Sequence, residues 1–245
     1  MPIKAIVFDA YGTLYDTNSI SPAIAEVFPA HAELITSVWR LKQLEYSWLR
    51  TLMGQWADFA TVTRESLRYA LDTVGLSTEA AILDRLVEAQ NRLTPYPEAE
   101  QALAALSGYR LAILSNGSQP MLDALVAHSG LGRYLEAVIS VDPAGAYKPD
   151  PRAYALVEQR LGVVPSETMF VTGNGFDTAG AGSFGFHVVR VERVTTDAIR
   201  QALAAQPPGP AAVFRALRMR LEAIGFEPAA VVSTLSELPD VAGAV

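Results

Sequence analysis

The chain is constrained most by a short apolar run that ends on a carboxylate. Ile3, Ala5, Ile6, Val7 and Phe8 lead into Asp9, and a turn of Ala10, Tyr11, Gly12 and Thr13 follows at once. A β-branched run of this length, stopped by a glycine-bearing turn, predicts a strand buried on both faces, as in a parallel sheet. Open parallel sheets bind ligands beyond the carboxyl ends of their strands, which places Asp9 at the ligand edge. Two residues later, Tyr11 puts a phenol where a second carboxylate would be needed to share a metal ion.

Five further apolar or β-branched runs follow: 109–114, 137–141, 168–172, 187–191 and a weaker one at Val231-Val232. Between the earlier ones lie 98–107, 121–129, 151–161 and 176–183, with apolar residues at helical spacing. The alternation predicts an α/β fold, a doubly wound, Rossmann-like parallel sheet. Residues 17–94 break the rhythm. They hold helical patterns at 33–53 (Leu34, Val38, Leu41 and Trp48 on one side), 63–74 and 79–93, and almost no strand pattern. An all-helical insertion directly after the first strand predicts a cap over that strand's end, with Thr94-Pro95-Tyr96-Pro97 as the return linker. The expected division is therefore a core of 1–16 and 95–245 and a helical cap of 17–94. A second helical excursion at 194–229 is expected to carry helices at 198–205 and 211–223 around the breaker Pro207-Pro208-Gly209-Pro210. Its apolar residues Val213, Leu217, Leu221 and Ile224 suit either the core or another subunit, and periodicity leaves both open.

Composition narrows the function. With 245 residues and half of them apolar, the chain can build a large core. A formal charge of -7 argues against general nucleic-acid binding, which needs a basic face. The absence of cysteine removes thiolate nucleophiles, thiolate metal sites and disulfides, and suits a cytoplasmic location. Asp9 interrupts the only early apolar run, so neither a secretion signal nor a membrane span is expected. On that ground the sequon Asn116-Gly117-Ser118 is expected to be unused.

Chemistry-bearing residues recur at successive strand ends: Asp9, then Ser115 and Asn116, then Lys148, then Asn174 and Asp177. Any one of them could simply cap a helix or make a turn. Together they define one crevice. Lys148 sits in Tyr147-Lys148-Pro149-Asp150-Pro151, where the prolines hold the loop. There it reads either as a surface lysine or as a cation offsetting the charge of Asp9 in a poorly solvated site. Arg40 lies within the long cap pattern at helical spacing from Leu44 and Trp48; it either snorkels past them or points into the cleft to receive an anion.

These motifs carry a resemblance that covers nearly the whole chain. Phe8-Asp9-Ala10-Tyr11-Gly12-Thr13-Leu14, Leu114-Ser115-Asn116-Gly117, Tyr147-Lys148-Pro149 and Asn174-Gly175-Phe176-Asp177 resemble the haloacid dehalogenase superfamily. The stretch from Val38 to Arg50 looks like the cap helix of its L-2-haloacid dehalogenases, and Arg215-Ala216-Leu217-Arg218-Met219-Arg220 like the excursion of the longer members. The resemblance implies hydrolysis of L-2-haloalkanoic acids, with no cofactor and no metal. Asp9 would be the nucleophile, steadied by Thr13. Arg40, Asn116 and Phe176 would cradle the halide. Ser115, with backbone amides near Ala10 and Tyr11, would hold the substrate carboxylate. Lys148 would neutralise the site while Thr172, Asn174 and Asp177 position it and the water. Which group deprotonates that water is left open between Asp177 and Lys148, with Asp177 preferred. Tyr154 would support the cluster, and Tyr11, Leu44 and Phe59 would wall an apolar pocket. The implied partners are a small 2-haloacid, halide and water, and the implied assembly is a homodimer. Two departures bear on substrate range and rate: Thr172-Gly173 replaces the usual Ser-Ser, and Leu41 replaces a glutamine common after the cap arginine.

Phosphatases of the superfamily use a second aspartate and acids in the last motif for Mg²⁺. Tyr11 and Asn174 stand in those places, a poor donor set for a hard cation. A Mg²⁺-dependent phosphatase and a catalytically silent binding protein on the same fold are the rival readings. Gly180-Ala181-Gly182-Ser183-Phe184-Gly185 matches a dinucleotide-type glycine pattern but precedes a strand instead of following one, so it is expected to be structural. His31, His128 and His187 form no ligand spacing.

Overall fold

The computed structural model describes residues 2–243. Six parallel strands, β1 (Ala5–Phe8), β2 (Arg110–Ser115), β3 (Ala137–Ser140), β4 (Thr168–Thr172), β5 (His187–Val191) and β6 (Ala230–Val232), form one sheet in the order β3-β2-β1-β4-β5-β6. β1 lies inside the sheet, with Ala5 opposite Arg110 on one side and Thr168 on the other. The chain winds outward from β1 in both directions, so the strand order reverses at β1 and β4. That reversal opens a crevice at their carboxyl ends, where Asp9 and residues 173–177 emerge.

All four β1 residues are buried because both faces of the sheet are covered. Ile6 and Phe8 pack into one core with Leu103, Leu122 and Val171, while Ala5 and Val7 pack into the other with Tyr154, Val157 and Phe170. That alternation is the two-residue period of a strand.

Four α-helices lie between β1 and the return linker at 94–97: α1 (Ser21–Val27), α2 (Ala32–Met53), α3 (Phe59–Thr73) and α4 (Ala80–Gln90). Then α5 (Ala99–Ala105), α6 (Gln119–Ser129), α7 (Pro151–Leu161) and α8 (Gly175–Phe184) alternate with strands, and α9 (Thr196–Leu203), α10 (Pro210–Arg218) and α11 (Leu238–Ala242) complete the chain. No helix among the described residues is long and apolar enough to cross a membrane.

The sequence reading needs four corrections here. The face of α2 expected to be buried (Leu34, Val38, Leu41, Trp48) is only half-buried. Ile35, Trp39, Gln43 and Ser47 face inward instead. Polar residues can occupy that stripe because Gln43 Nε2 donates to Thr63 Oγ1 at 2.7 Å and Trp39 Nε1 to the Thr63 carbonyl at 2.9 Å. α3 begins at Phe59, not 63, because the Asp58 side chain caps it by accepting the Thr61 N–H. α10 stops at Arg218, short of 223. The chain turns there to pack on β5 and α8: Arg190 donates to the Met219 carbonyl, and the Arg220 carbonyl oxygen approaches Gly175 too closely to admit a Cβ. Finally, α1 and α11 escaped notice. At seven and five residues, each with proline in its first turn, they are too short for an apolar period to show.

Of the excursion's apolar residues, Val213, Leu217 and Ile224 remain exposed, while Ala212 and Phe214 are buried. Two substitutions test where the stability resides. Ile6→Ala is expected to cost about 2–5 kcal/mol in denaturant unfolding, as buried Ile→Ala changes do. Val231→Ala, on the exposed edge strand, is expected to cost under about 0.5 kcal/mol.

Candidate active site

The turn after β1 is built to fix one carboxylate. The Ala10 carbonyl accepts the N–H groups of Thr13, Leu14 and Tyr15, and Gly12 takes a φ of 84°, a left-handed conformation that favours glycine. Thr13 Oγ1 donates to Asp9 Oδ2 at 3.0 Å and accepts the Gly173 N–H at 2.9 Å, tying this turn to the end of β4. Asn174 Nδ2 donates to Asp9 Oδ2 at 2.8 Å and to the Tyr11 carbonyl at 3.0 Å. Both partners are acceptors, so the amide must present its nitrogen here.

Lys148 supplies the charge. Its Nζ donates to Asp9 Oδ1 at 2.9 Å, Asp177 Oδ2 at 2.8 Å and the Leu114 carbonyl at 3.1 Å, which uses all three ammonium protons. Asp177 is held on its other side by the Tyr154 hydroxyl at 2.7 Å. Burial opposes the Lys148 ammonium, but Asp177 and Asp9 outweigh it and hold its pKa above the ordinary lysine value. Burial raises the Asp177 carboxyl pKa, with Lys148 opposing it. The ammonium thus fills the space between the two carboxylates, and Asn174 offers Asp9 a donor where a cation would need an oxygen. Among the described residues no three His, Cys, Asp or Glu side chains gather as metal ligands.

Above Asp9 opens a cleft of about 520 Å³, lined in part by Tyr11, Leu44, Phe59, Asn116, Phe176 and Arg40. Arg40 reaches it from α2, with Nη1 donating to Asn18 Oδ1 at 3.3 Å and the guanidinium 4.1 Å from the centre of the Phe214 ring. Burial pulls the Arg40 pKa down to about 10, with Tyr96 and Asp16 pulling the other way, so it stays charged at neutral pH. Asn116 Oδ1 accepts the Lys148 N–H at 2.9 Å, leaving its Nδ2 without a partner among the described residues. Phe176 packs edge-on against Trp48 at 5.3 Å, and Trp48 Nε1 donates to the Lys148 carbonyl at 3.1 Å. With Tyr147 N–H on Thr51 Oγ1 and Tyr147 OH on the Ala57 carbonyl, this contact fastens α2 and the loop before α3 to the lysine loop. Tyr11 packs on Phe59 at 6.0 Å; its hydroxyl is buried without a partner among the described residues, and burial pushes its pKa up.

Five predicted site residues, Ser115, Ala10, Tyr154, Asp177 and Thr172, are buried and do not line the cleft. Ser115 is fully buried and does not line the cleft; its hydroxyl accepts the Gly117 N–H at 3.2 Å in the turn after β2. Ala10 is likewise buried, but the backbone N–H groups of Ala10 and Tyr11 have no acceptor among the described residues and remain available to an anion. Tyr154 touches Asp177 and not the cleft. Asp177 and Thr172 are fully buried too. Both Asp177 oxygens are engaged, so it reaches the cleft only through Lys148, and Thr172 Oγ1 accepts the Asn174 N–H at 3.1 Å. Sequence reasoning missed Trp48 as the clamp, and Phe214, Arg215 and Arg218 of α10 as part of the cleft wall. The i, i+4 spacing of Phe214 and Arg218 was the available signal.

Residues 3–185 match the family described as haloacid dehalogenase-like hydrolase. The chain is 52% identical to an (S)-2-haloacid dehalogenase of Xanthobacter autotrophicus over 237 residues, covering 97% of this chain and 94% of that one. It is 47% identical to (S)-2-haloacid dehalogenase 1 of Pseudomonas sp. (strain CBS-3), over 79% of this chain and 86% of that one. A solved structure of the L-2-haloacid dehalogenase from Xanthobacter autotrophicus, with chloropropionic acid covalently bound, superposes with a TM-score of 0.95 at 51% identity, covering 98% of each chain.

The raised Lys148 pKa fixes a sign. Its contribution to stability is complete below the ordinary lysine value of about 10.4 and is lost as pH rises through the raised value. Denaturant unfolding across pH is therefore expected to show an alkaline loss in the native chain that Lys148→Met lacks. The same variant should lose about 3–5 kcal/mol at neutral pH, because it leaves two buried carboxylates without their cation.

Proposed function

The chain belongs to the haloacid dehalogenase-like hydrolase family, and on that premise we propose that it hydrolyses L-2-haloalkanoic acids to D-2-hydroxy acids through an ester on Asp9. The observation that carries the reading is the pairing of Asp9, held by Lys148, Thr13 and Asn174, with Arg40 on the lining of the same cleft.

Asp9 attacks C2 of the substrate in line with the carbon–halogen bond, which inverts that centre and expels halide. Negative charge thereby moves from Asp9 to the halide, and Arg40, the free Nδ2 of Asn116 and the edge of Phe176 meet it. The free N–H groups of Ala10 and Tyr11 hold the substrate carboxylate, orienting C2 over Asp9. Asp9 Oδ1 contacts only Lys148, whereas Oδ2 receives two donors, so Oδ1 is the freer oxygen for attack. Water then adds to the ester carbonyl of Asp9 and releases the hydroxy acid without touching C2 again, so the inversion persists. Tyr11, Leu44 and Phe59 keep the cleft apolar, which strengthens each of these charge interactions. Thr172, Tyr154 and Asp177 hold Asn174 and Lys148 in register, and Ser115 supports the turn beneath Asn116.

In this reading residues 17–94 act as the cap and 1–16 with 95–245 as the core, supported by the Trp48, Thr51 and Tyr147 contacts that join them. The exposed Leu52 and Met53 of α2, or Val213 and Leu217 of α10, offer surfaces for a homodimer. The absence of cysteine supports placement in the cytoplasm.

Halide release in EDTA is the test. L-2-chloropropionate should yield chloride and D-lactate, the D isomer should yield none, and Asp9→Asn should lose at least about 10³-fold in rate, as removal of a nucleophile does. Phosphate release from p-nitrophenyl phosphate with Mg²⁺ and no dehalogenation would overturn the proposal. Turnover of neither would favour a binding protein.

A further inference from the structure

Charge is distributed unevenly over this molecule. The chain carries a formal charge of -7, yet four cations (Arg40, Lys148, Arg215, Arg218) and only two acids (Asp9, Glu33) line the cleft. Lys148 is matched by Asp9 and Asp177. Glu33 accepts the Ala211 N–H at 3.1 Å. Among the described residues the three arginines make no ion pair with a carboxylate within 4.0 Å. The cleft is therefore a basic opening in an acidic protein.

Arg218 is the most informative of the three. It is half-buried, its Nη1 donates to the Leu217 carbonyl at 3.0 Å, and its Nε is buried with no partner among the described residues. Its guanidinium lies 5.2 Å from the centre of the Trp48 ring, and the opposite side of the contact chain is Phe176 against that same tryptophan. Phe214, one turn earlier on α10, lies under Arg40. One face of α10 thus meets Arg40 through Phe214 and Trp48 through Arg218. Glu45 and Glu222 are near enough to favour its charge, but neither pairs with it. A partly desolvated guanidinium with unused donors is costly to hold unless an anion completes it.

We propose that Arg218 is an outer anion-binding residue of the cleft, holding a small monovalent anion between solvent and Arg40. The identity of that anion rests on the dehalogenase reading: a carboxylate enters, and a halide and a second carboxylate leave. Each turnover converts one monovalent anion and water into two monovalent anions and a proton. A second cation on the way out lets halide leave Arg40 without crossing an unscreened gap, and an electropositive mouth raises the capture rate of the next substrate.

Bromide quenching of tryptophan fluorescence at constant ionic strength tests the site without turnover. In an Arg40→Gln background, where the inner site is gone, saturable quenching should persist. Adding Arg218→Gln should weaken it about fivefold, the scale of one partly exposed ion contact. Adding Arg218→Lys should keep it within about twofold, since the charge remains. Kinetic arms identify the anion: in otherwise native chain, Arg218→Gln should weaken product inhibition by chloride if halide uses the site, and by D-lactate and raise KM if carboxylate does. Arg200→Gln, which removes an exposed charge paired with Asp197, should change none of these. Bromide titrations unaltered by Arg218→Gln would overturn the proposal. So would equal losses in the Gln and Lys variants, which would mark a packing role. Bromide behaviour as expected without any dehalogenation would instead sink the proposed activity and leave the anion site standing.

Discussion

The site depends on one ammonium group. Lys148 Nζ gives its three protons to Asp9, Asp177 and the Leu114 carbonyl, and all three side chains are buried. Without it, two carboxylates from β1 and the start of α8 would face each other in a poorly solvated space, where like charges cannot both be kept. With it, the carboxyl ends of β1, β2 and β4 are joined at one atom. The lysine in turn is held from above: its carbonyl accepts Trp48 Nε1 and its N–H meets Asn116 Oδ1. Stability and chemistry therefore share the same contacts.

The second constraint is separation of charge. Asp9 reaches the cleft from the end of β1 and Arg40 from α2, and Tyr11, Leu44 and Phe59 line the same space. An aspartate beside a matched lysine and neutral donors is suited to attack carbon. An arginine resting on Phe214 with no acid partner is suited to receive what leaves. The excursion contributes through α10, which packs on α2 and adds Phe214, Arg215 and Arg218 to the wall, so the cleft draws on stretches far apart in the chain.

Much of this was legible in sequence because it is local. The apolar run before Asp9, the Lys148-Pro149 loop and the strand–helix alternation each announce themselves within a few residues, and all six strands fall where the runs predicted them. What was not legible depends on side-chain direction and distant contacts. The α2 face was misread because its inward stripe contains Gln43 and Ser47, whose burial is allowed only by Thr63 and the helix's own carbonyls. Ser115 is taken up by the turn after β2, where its hydroxyl accepts the Gly117 N–H, a contact that no strand pattern announces. Asp177 looked like a group open to water until Tyr154 and Lys148 were seen to occupy both of its oxygens. The role of Arg218 depends on packing across about 170 residues of sequence, which no local pattern carries.

The central claim is that Asp9 bonds covalently to substrate carbon and that water attacks the resulting ester, not C2. A single turnover with enzyme in excess, in water enriched in heavy oxygen, tests it most directly. The account predicts that the label enters the Asp9 carboxylate and that the first hydroxy acid released carries ordinary oxygen at C2. Label in the product of that first turnover, with none on Asp9, would contradict it.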